Sequence, residues 1–132
     1  MTAMTATIQR ATLLRRVLYV DAATCAAMGA LLTLDAGVLA PLFGLPAMLL
    51  QYSGFSLFPI AAFMLWVATR AALPLPGVWL VIVGNAGWVA GSAALLALAS
   101  PTAIGYAFVV AQALGTAALA ALEYGGLHYA AD

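Results

Sequence analysis

Residues 17–34 read VLYVDAATCAAMGALLTL, a stretch of about 18 residues in which Asp21 is the single ionisable side chain. Crossing the hydrocarbon core takes roughly 20 apolar residues at about 1.5 Å of rise each, so this stretch is long enough to be a transmembrane helix. Arg10, Arg15 and Arg16 precede it, and Asp35 and Gly37 mark its exit, which sets the first segment at about 13–34. Arginines ahead of an apolar run also suit a secretory signal. This run is longer than a usual signal core and three more apolar segments follow it, so an uncleaved first helix is the expectation.

Working outward, residues 38–48, VLAPLFGLPAM, stay apolar but carry Pro41, Gly44 and Pro46, which interrupt a helix and predict a turn or a short interfacial helix. Segment two follows at about 48–69, with Pro59 near its middle. Arg70, Pro74, Pro76 and Gly77 form a link to segment three, about 78–99, and Ser100 and Pro101 turn the chain into segment four, about 102–122. The whole chain has 132 residues, 67% hydrophobic and 6% charged. A water-soluble domain carries about 25% charged residues, so lipid is the expected solvent for most of this surface. The reading is one all-α membrane domain over 1–132, a bundle of four transmembrane helices.

All four arginines fall at one end: three before segment one, and Arg70 between segments two and three. By the positive-inside rule that end is cytoplasmic, and an even number of spans returns the C-terminus to the same side, where His128 and Asp132 are expected to be solvated. Trp66, Trp79, Tyr19 and Tyr124 lie near the same end and fit an interfacial aromatic belt. Net charge is zero with no basic run, so nucleic acid is not an expected partner. Cys25 is the only cysteine and His128 the only histidine. An intrachain disulfide, a cysteine or multi-histidine metal site and a histidine-assisted nucleophile are therefore set aside, and no catalytic residue, metal ligand or cofactor is expected.

Displacing the first segment by 64 positions sets DAATCAAMGALLTL, from Asp21, against NAGWVAGSAALLAL, from Asn85. Asp21 then faces Asn85. Ala22, Ala26, Ala30, Leu31, Leu32 and Leu34 face identical residues at Ala86, Ala90, Ala94, Leu95, Leu96 and Leu98. The chain can thus be read as two parallel helical-hairpin repeats about an axis along the membrane normal. That reading puts Asp21 and Asn85 at one depth and expects a direct hydrogen bond between them. Small residues suggest where helices approach in lipid: Ala22, Ala26 and Ala30 on segment one, Gly84, Gly87 and Gly91 on segment three, and Ala107, Ala111 and Gly115 on segment four.

A carboxylate at the centre of a membrane helix costs about 3 kcal/mol on insertion scales, so Asp21 needs a partner. The candidates are Asn85, Gln112, Thr116 and the arginines nearby. Glu123 is read as topological, at the end of segment four, meeting water or pairing with Arg15, Arg16 or Arg70. Gln112 is expected to bond across to another helix. Asp35, Gln51, Tyr52, Ser53 and Tyr106 are a candidate polar cluster at the opposite end. Asp21→Ala is expected to impair accumulation more than Asn85→Ala.

The stretches LFPIAAFMLWVATR (57–70), GNAGWVAGSAALL (84–96), PTAIGYAFVVAQA (101–113) and ALEYGGL (121–127) resemble a group of small bacterial four-helix membrane proteins. That resemblance implies a bacterial inner membrane and carries no activity with it. Small multidrug resistance transporters place an acidic residue in their first helix, as Asp21 is placed here, but their aromatic pattern is missing. Fluoride channels combine an asparagine with glycines, as at Asn85, Gly87 and Gly91, but their threonine and phenylalanine filter motif is missing. Quinone-linked thiol oxidoreductases need cysteine pairs, which a single cysteine excludes.

Three functional readings follow. The first is a non-enzymatic bundle that forms a homo-oligomer or supports another membrane protein. A transporter or channel using Asp21, Asn85 and Gln112 is the second. The third is a binder of a lipid-soluble ligand, with an enzyme ranked last because two carboxylates without a recognisable companion are weak evidence of catalysis.

Overall fold

The computed structural model describes residues 2–131, apart from the side chains of 7 and 129–131; Asp132 lies outside the described residues. The described residues form five helices: α1 (Thr2–Leu34), α2 (Ala36–Phe43), α3 (Ala47–Ala68), α4 (Leu75–Leu98) and α5 (Ala103–Ala131). All but α2 are long and apolar enough to cross a membrane, and the protein is a multi-pass helical bundle.

The breakers act as their chemistry dictates. Gly44 adopts φ 67°, a left-handed conformation that closes α2, and its N–H bonds back to Ala40 O. Pro46 stands at the N-cap of α3, and Pro74 and Pro76 open α4, where a missing N–H costs nothing. Two helices outrun their expected limits. The first begins at Thr2 instead of residue 13, and the last runs to Ala131 instead of stopping at 122. The Gly125–Gly126 pair does not end α5, because Gly126 packs on Leu14 and Leu127 is buried in the core. Tertiary packing here overrides the weak helix propensity of glycine.

The four long helices form a square with three closed edges. Antiparallel contacts run along α1–α3, α1–α5 and α4–α5, while α3 and α4 barely touch. At the α1–α3 edge two glycines set the spacing, since a Cβ added at Gly29 would lie 2.9 Å from Gly54 O and one at Gly54 would lie 2.9 Å from Gly29 O. A similar approach holds α5 against the end of α2, where Gly105 meets the Phe43 backbone and Thr102 N donates to Phe43 O at 3.0 Å. Phe43 and Phe108 stack there with centroids 4.5 Å apart.

The small-residue stripe of segment three does not serve packing within the chain. A Cβ at Gly84, Gly87, Gly91 or Gly115 would meet nothing within 4 Å, and Ala111 is exposed. Of the stripe on α1, Ala22 is fully buried and Ala26 and Ala30 are half-buried. The reason for the difference is the open edge: α4 turns its glycines toward a neighbour that stands away.

Apolar side chains fill the square in two groups. Leu14, Leu18, Met64, Val67, Val78 and Leu127 pack the end that carries the helix α1 arginines, and Leu32, Phe43, Leu45, Leu50 and Val109 pack the other.

Candidate functional site

Polar groups meet inside the square, on helices whose backbones do not touch. Asp21 on α1 and Asn85 on α4 face each other across the diagonal, and Asn85 Nδ2 donates to Asp21 Oδ2 at 2.7 Å. This is the hydrogen bond expected from the repeat alignment. The same amide nitrogen lies 3.3 and 3.4 Å from the two carboxyl oxygens of Glu123 on α5. Cys25 Sγ stands 3.6 Å from Asp21 Oδ1. Asp21 is 2% exposed, Asn85 6% and Glu123 0%, so the three form a closed polar centre joining α1, α4 and α5.

Glu123 therefore departs from its expected place at the water boundary. It sits inside because α1 and α5 both continue past it, covering it with the layer that contains Leu14 and Leu127. The arginine partners expected for Asp21 and Glu123 are also absent among the described residues. The Arg15 guanidinium bonds instead to Ala68 O, to Arg70 O at 2.6 Å and to Ala71 O at 3.3 Å. Those carbonyls at the C-terminal end of α3 have no partners within the helix, and a cation there also meets the negative end of the helix dipole. Arg16 is exposed, and Arg70 lies over the Trp66 ring, 5.1 Å from its centroid, with Nε donating to Trp66 O at 3.1 Å.

One turn and more along α4, a second network joins α4 to α5. Trp88 Nε1 donates to Gln112 Oε1 at 2.7 Å, and Gln112 Nε2 donates to Ser92 Oγ and to Val109 O, both at 2.9 Å. Gln112 thus bonds across to another helix, as expected. Thr116 does not reach Asp21, for its hydroxyl donates to Gln112 O within α5 at 2.9 Å. Glu123, Trp88 and Ser92 escaped the sequence reading as members of polar networks. Their spacing holds a signal: Asn85, Trp88 and Ser92 recur at three and four residues, as do Gln112, Thr116 and Glu123 at four and seven, placing each set on one helix face.

The candidate cluster at the other end does not assemble. Ser53 lines a cleft, whereas Asp35, Gln51, Tyr52 and Tyr106 are exposed and no hydrogen bond joins any of the five to another. At the arginine end, Trp66, Trp79, Tyr19 and Tyr124 are all at least 40% exposed, and Trp79 meets Tyr124 edge-on at 5.8 Å. His128 is exposed and stacks on Tyr124.

The open α3–α4 edge leads to this interior through two clefts. An outer one of about 540 Å³ is walled by Leu49, Ser53, Gly87, Gly91, Ser92 and Gln112 among others. The inner one, about 370 Å³, is walled by Ile60, Phe63, Leu80, Gly84, Asn85 and Thr116 among others. A third space, about 200 Å³, is lined mainly by α1 and α5 and touches Asp21, Thr24, Gln112 and Thr116. Trp88 borders all three. The hydrogen bond to Gln112 fixes its indole at that position. Among the described residues no group of His, Cys, Asp or Glu has the arrangement of a metal site.

Comparison of the chain with protein families, with curated proteins and with solved structures finds no match.

Proposed function

We propose that this protein is a non-enzymatic membrane bundle that binds a lipid-soluble molecule admitted sideways from the bilayer, between α3 and α4. The observation that carries this reading is the open edge itself: three edges of the square are closed by contact and the fourth gives onto apolar clefts with polar groups at their inner wall. Small-molecule sites are typically of some 300–1,000 Å³, mostly apolar, with a few fixed polar groups, and both clefts fall in that range. The enclosure of Asp21 and Glu123 favours this reading over an ion channel, whose pore would have to wet them.

A second reading rests on the glycines. Gly84, Gly87 and Gly91 lie open on α4, and a helix from a second copy or from another membrane protein would pack on them closely. The expected setting for either is a bacterial inner membrane with both termini in the cytoplasm. The clustering of Arg15 against the Arg70 and Ala71 carbonyls at one end of the bundle supports that orientation.

Native mass spectrometry of protein extracted gently from its own membrane tests the two together. A reproducible bound mass that disappears in Gly84→Leu and Gly91→Leu, with the subunit count unchanged, is the result expected of ligand binding. A defined oligomer without bound mass, broken by the same substitutions, would replace this reading with the second.

A further inference from the structure

The polar centre has one hydrogen-bonding atom left over. Asn85 presents its NH₂ group to Asp21 and Glu123 and donates to both. Both amide hydrogens are then used, and Oδ1 has no partner. The side chain is 94% buried, from its 6% exposure, and it forms part of the wall of the inner cleft. An amide oxygen without a donor at the wall of an apolar cleft forgoes a hydrogen bond unless something entering the cleft supplies one.

We infer that Asn85 Oδ1 is the recognition atom of the inner cleft, and that the molecule bound there carries a hydrogen-bond donor, a hydroxyl or an amine, on an otherwise apolar body. This rests on the lateral binding proposed above and adds the chemistry of the ligand's polar end. Apart from Thr116, whose hydroxyl bonds within α5, and Cys25, the remainder of the wall is apolar or aromatic, including Phe63, Leu80, Val81 and Trp88, and suits a hydrocarbon body. The carboxyl groups behind the amide strengthen the preference. They draw the Asn85 hydrogens toward themselves, which polarises the amide and leaves its oxygen a better acceptor. A molecule ending in an ether or ketone offers only acceptors and leaves Oδ1 as unpaired as before.

The test uses the full chain in phosphatidylcholine nanodiscs, with Trp66→Phe and Trp79→Phe leaving Trp88 as the fluorescent reporter at the cleft wall. Decane brominated at mid-chain quenches Trp88 when it occupies the cleft. Decanol, decylamine and decyl methyl ether then compete with it, at concentrations corrected for partition into the bilayer. Decanol and decylamine should displace the quencher about tenfold better than the ether, the worth of one hydrogen bond of about 1–1.5 kcal/mol. Gly84→Leu fills the inner cleft from a position where a Cβ meets nothing within 4 Å, and should remove the quenching and competition that arise there. Equal competition by all three compounds, with quenching still lost in Gly84→Leu, would overturn the donor inference and leave lateral binding standing. Quenching that Gly84→Leu and Gly91→Leu together do not change would overturn both.

Discussion

Helix α3 has one side closed and one side open. Toward α1 it is pressed so near that Gly29 and Gly54 leave no room for a side chain; toward α4 it stands away, and the glycines that face it meet nothing within 4 Å. The same residue type thus does opposite things in one molecule. In lipid, apolar surface gives helices no reason to associate, and contact is decided by how closely backbones can approach and by the polar groups they share. Helices α1 and α3 have the close approach. Helices α1, α4 and α5 have the shared polar centre. Helices α3 and α4 have neither, apart from their short link, and their edge stays open.

Substitutions can set the two sides of α3 against each other. Gly54→Leu should have the largest effect, a loss of about 3 kcal/mol or more, because its Cβ would lie 2.5 Å from Thr33 Oγ1 and 2.9 Å from the Thr33 and Gly29 backbones, which cannot swing aside. A chain that retains its unfolding midpoint in a denaturing-detergent titration would show that the α1–α3 edge is looser than described.

Next comes the polar centre. Asn85→Ala removes the donor that serves two buried carboxyl groups and should cost about 3 kcal/mol, more than Asp21→Ala, which leaves Asn85 with Glu123. The sequence alone suggests the reverse order, and the inclusion of Glu123 turns it round. Glu123→Gln keeps the shape and should cost less than about 1 kcal/mol. Loss of folding in that variant would mean that a carboxyl group itself is required.

Arg15→Gln should cost about 1 kcal/mol by uncapping the end of α3, while Arg16→Gln at an exposed position should cost nothing measurable. The smallest effect belongs to the open edge. Gly87→Ala should leave the midpoint unchanged or raise it by up to about 1 kcal/mol through helix propensity alone. A marked loss there would mean that the glycine face is packed against another chain in the membrane.

The architecture was legible in the sequence because each span is a long apolar run bounded by arginine, proline or glycine, and in a membrane that pattern leaves few alternatives. The Asp21–Asn85 hydrogen bond was legible too, through an alignment of the chain with itself. Glu123 was not. Its neighbours Tyr124, Gly125 and Gly126 look like the end of a helix, and only the packing of Gly126 on Leu14 reveals that the helix continues and encloses the carboxyl group. That the α4 glycines have no neighbour within the chain was not legible for a related reason. A stripe of small residues shows where a close approach is sterically open, but whether a helix occupies it depends on the other three edges of the square, and a single segment carries no record of those.

The central claim is that the α3–α4 edge is open to the bilayer, and Trp88 reports on it directly. With Trp66 and Trp79 replaced by phenylalanine, the protein is reconstituted in lipid brominated at mid-chain and the Trp88 emission is compared with that in unbrominated lipid. Acyl chains entering between α3 and α4 should quench Trp88 strongly although its ring faces the interior of the bundle, and Gly84→Leu together with Gly91→Leu should restore its emission. Emission as bright in brominated lipid as in plain lipid would mean that the edge is covered, and the lateral entry proposed here would be wrong.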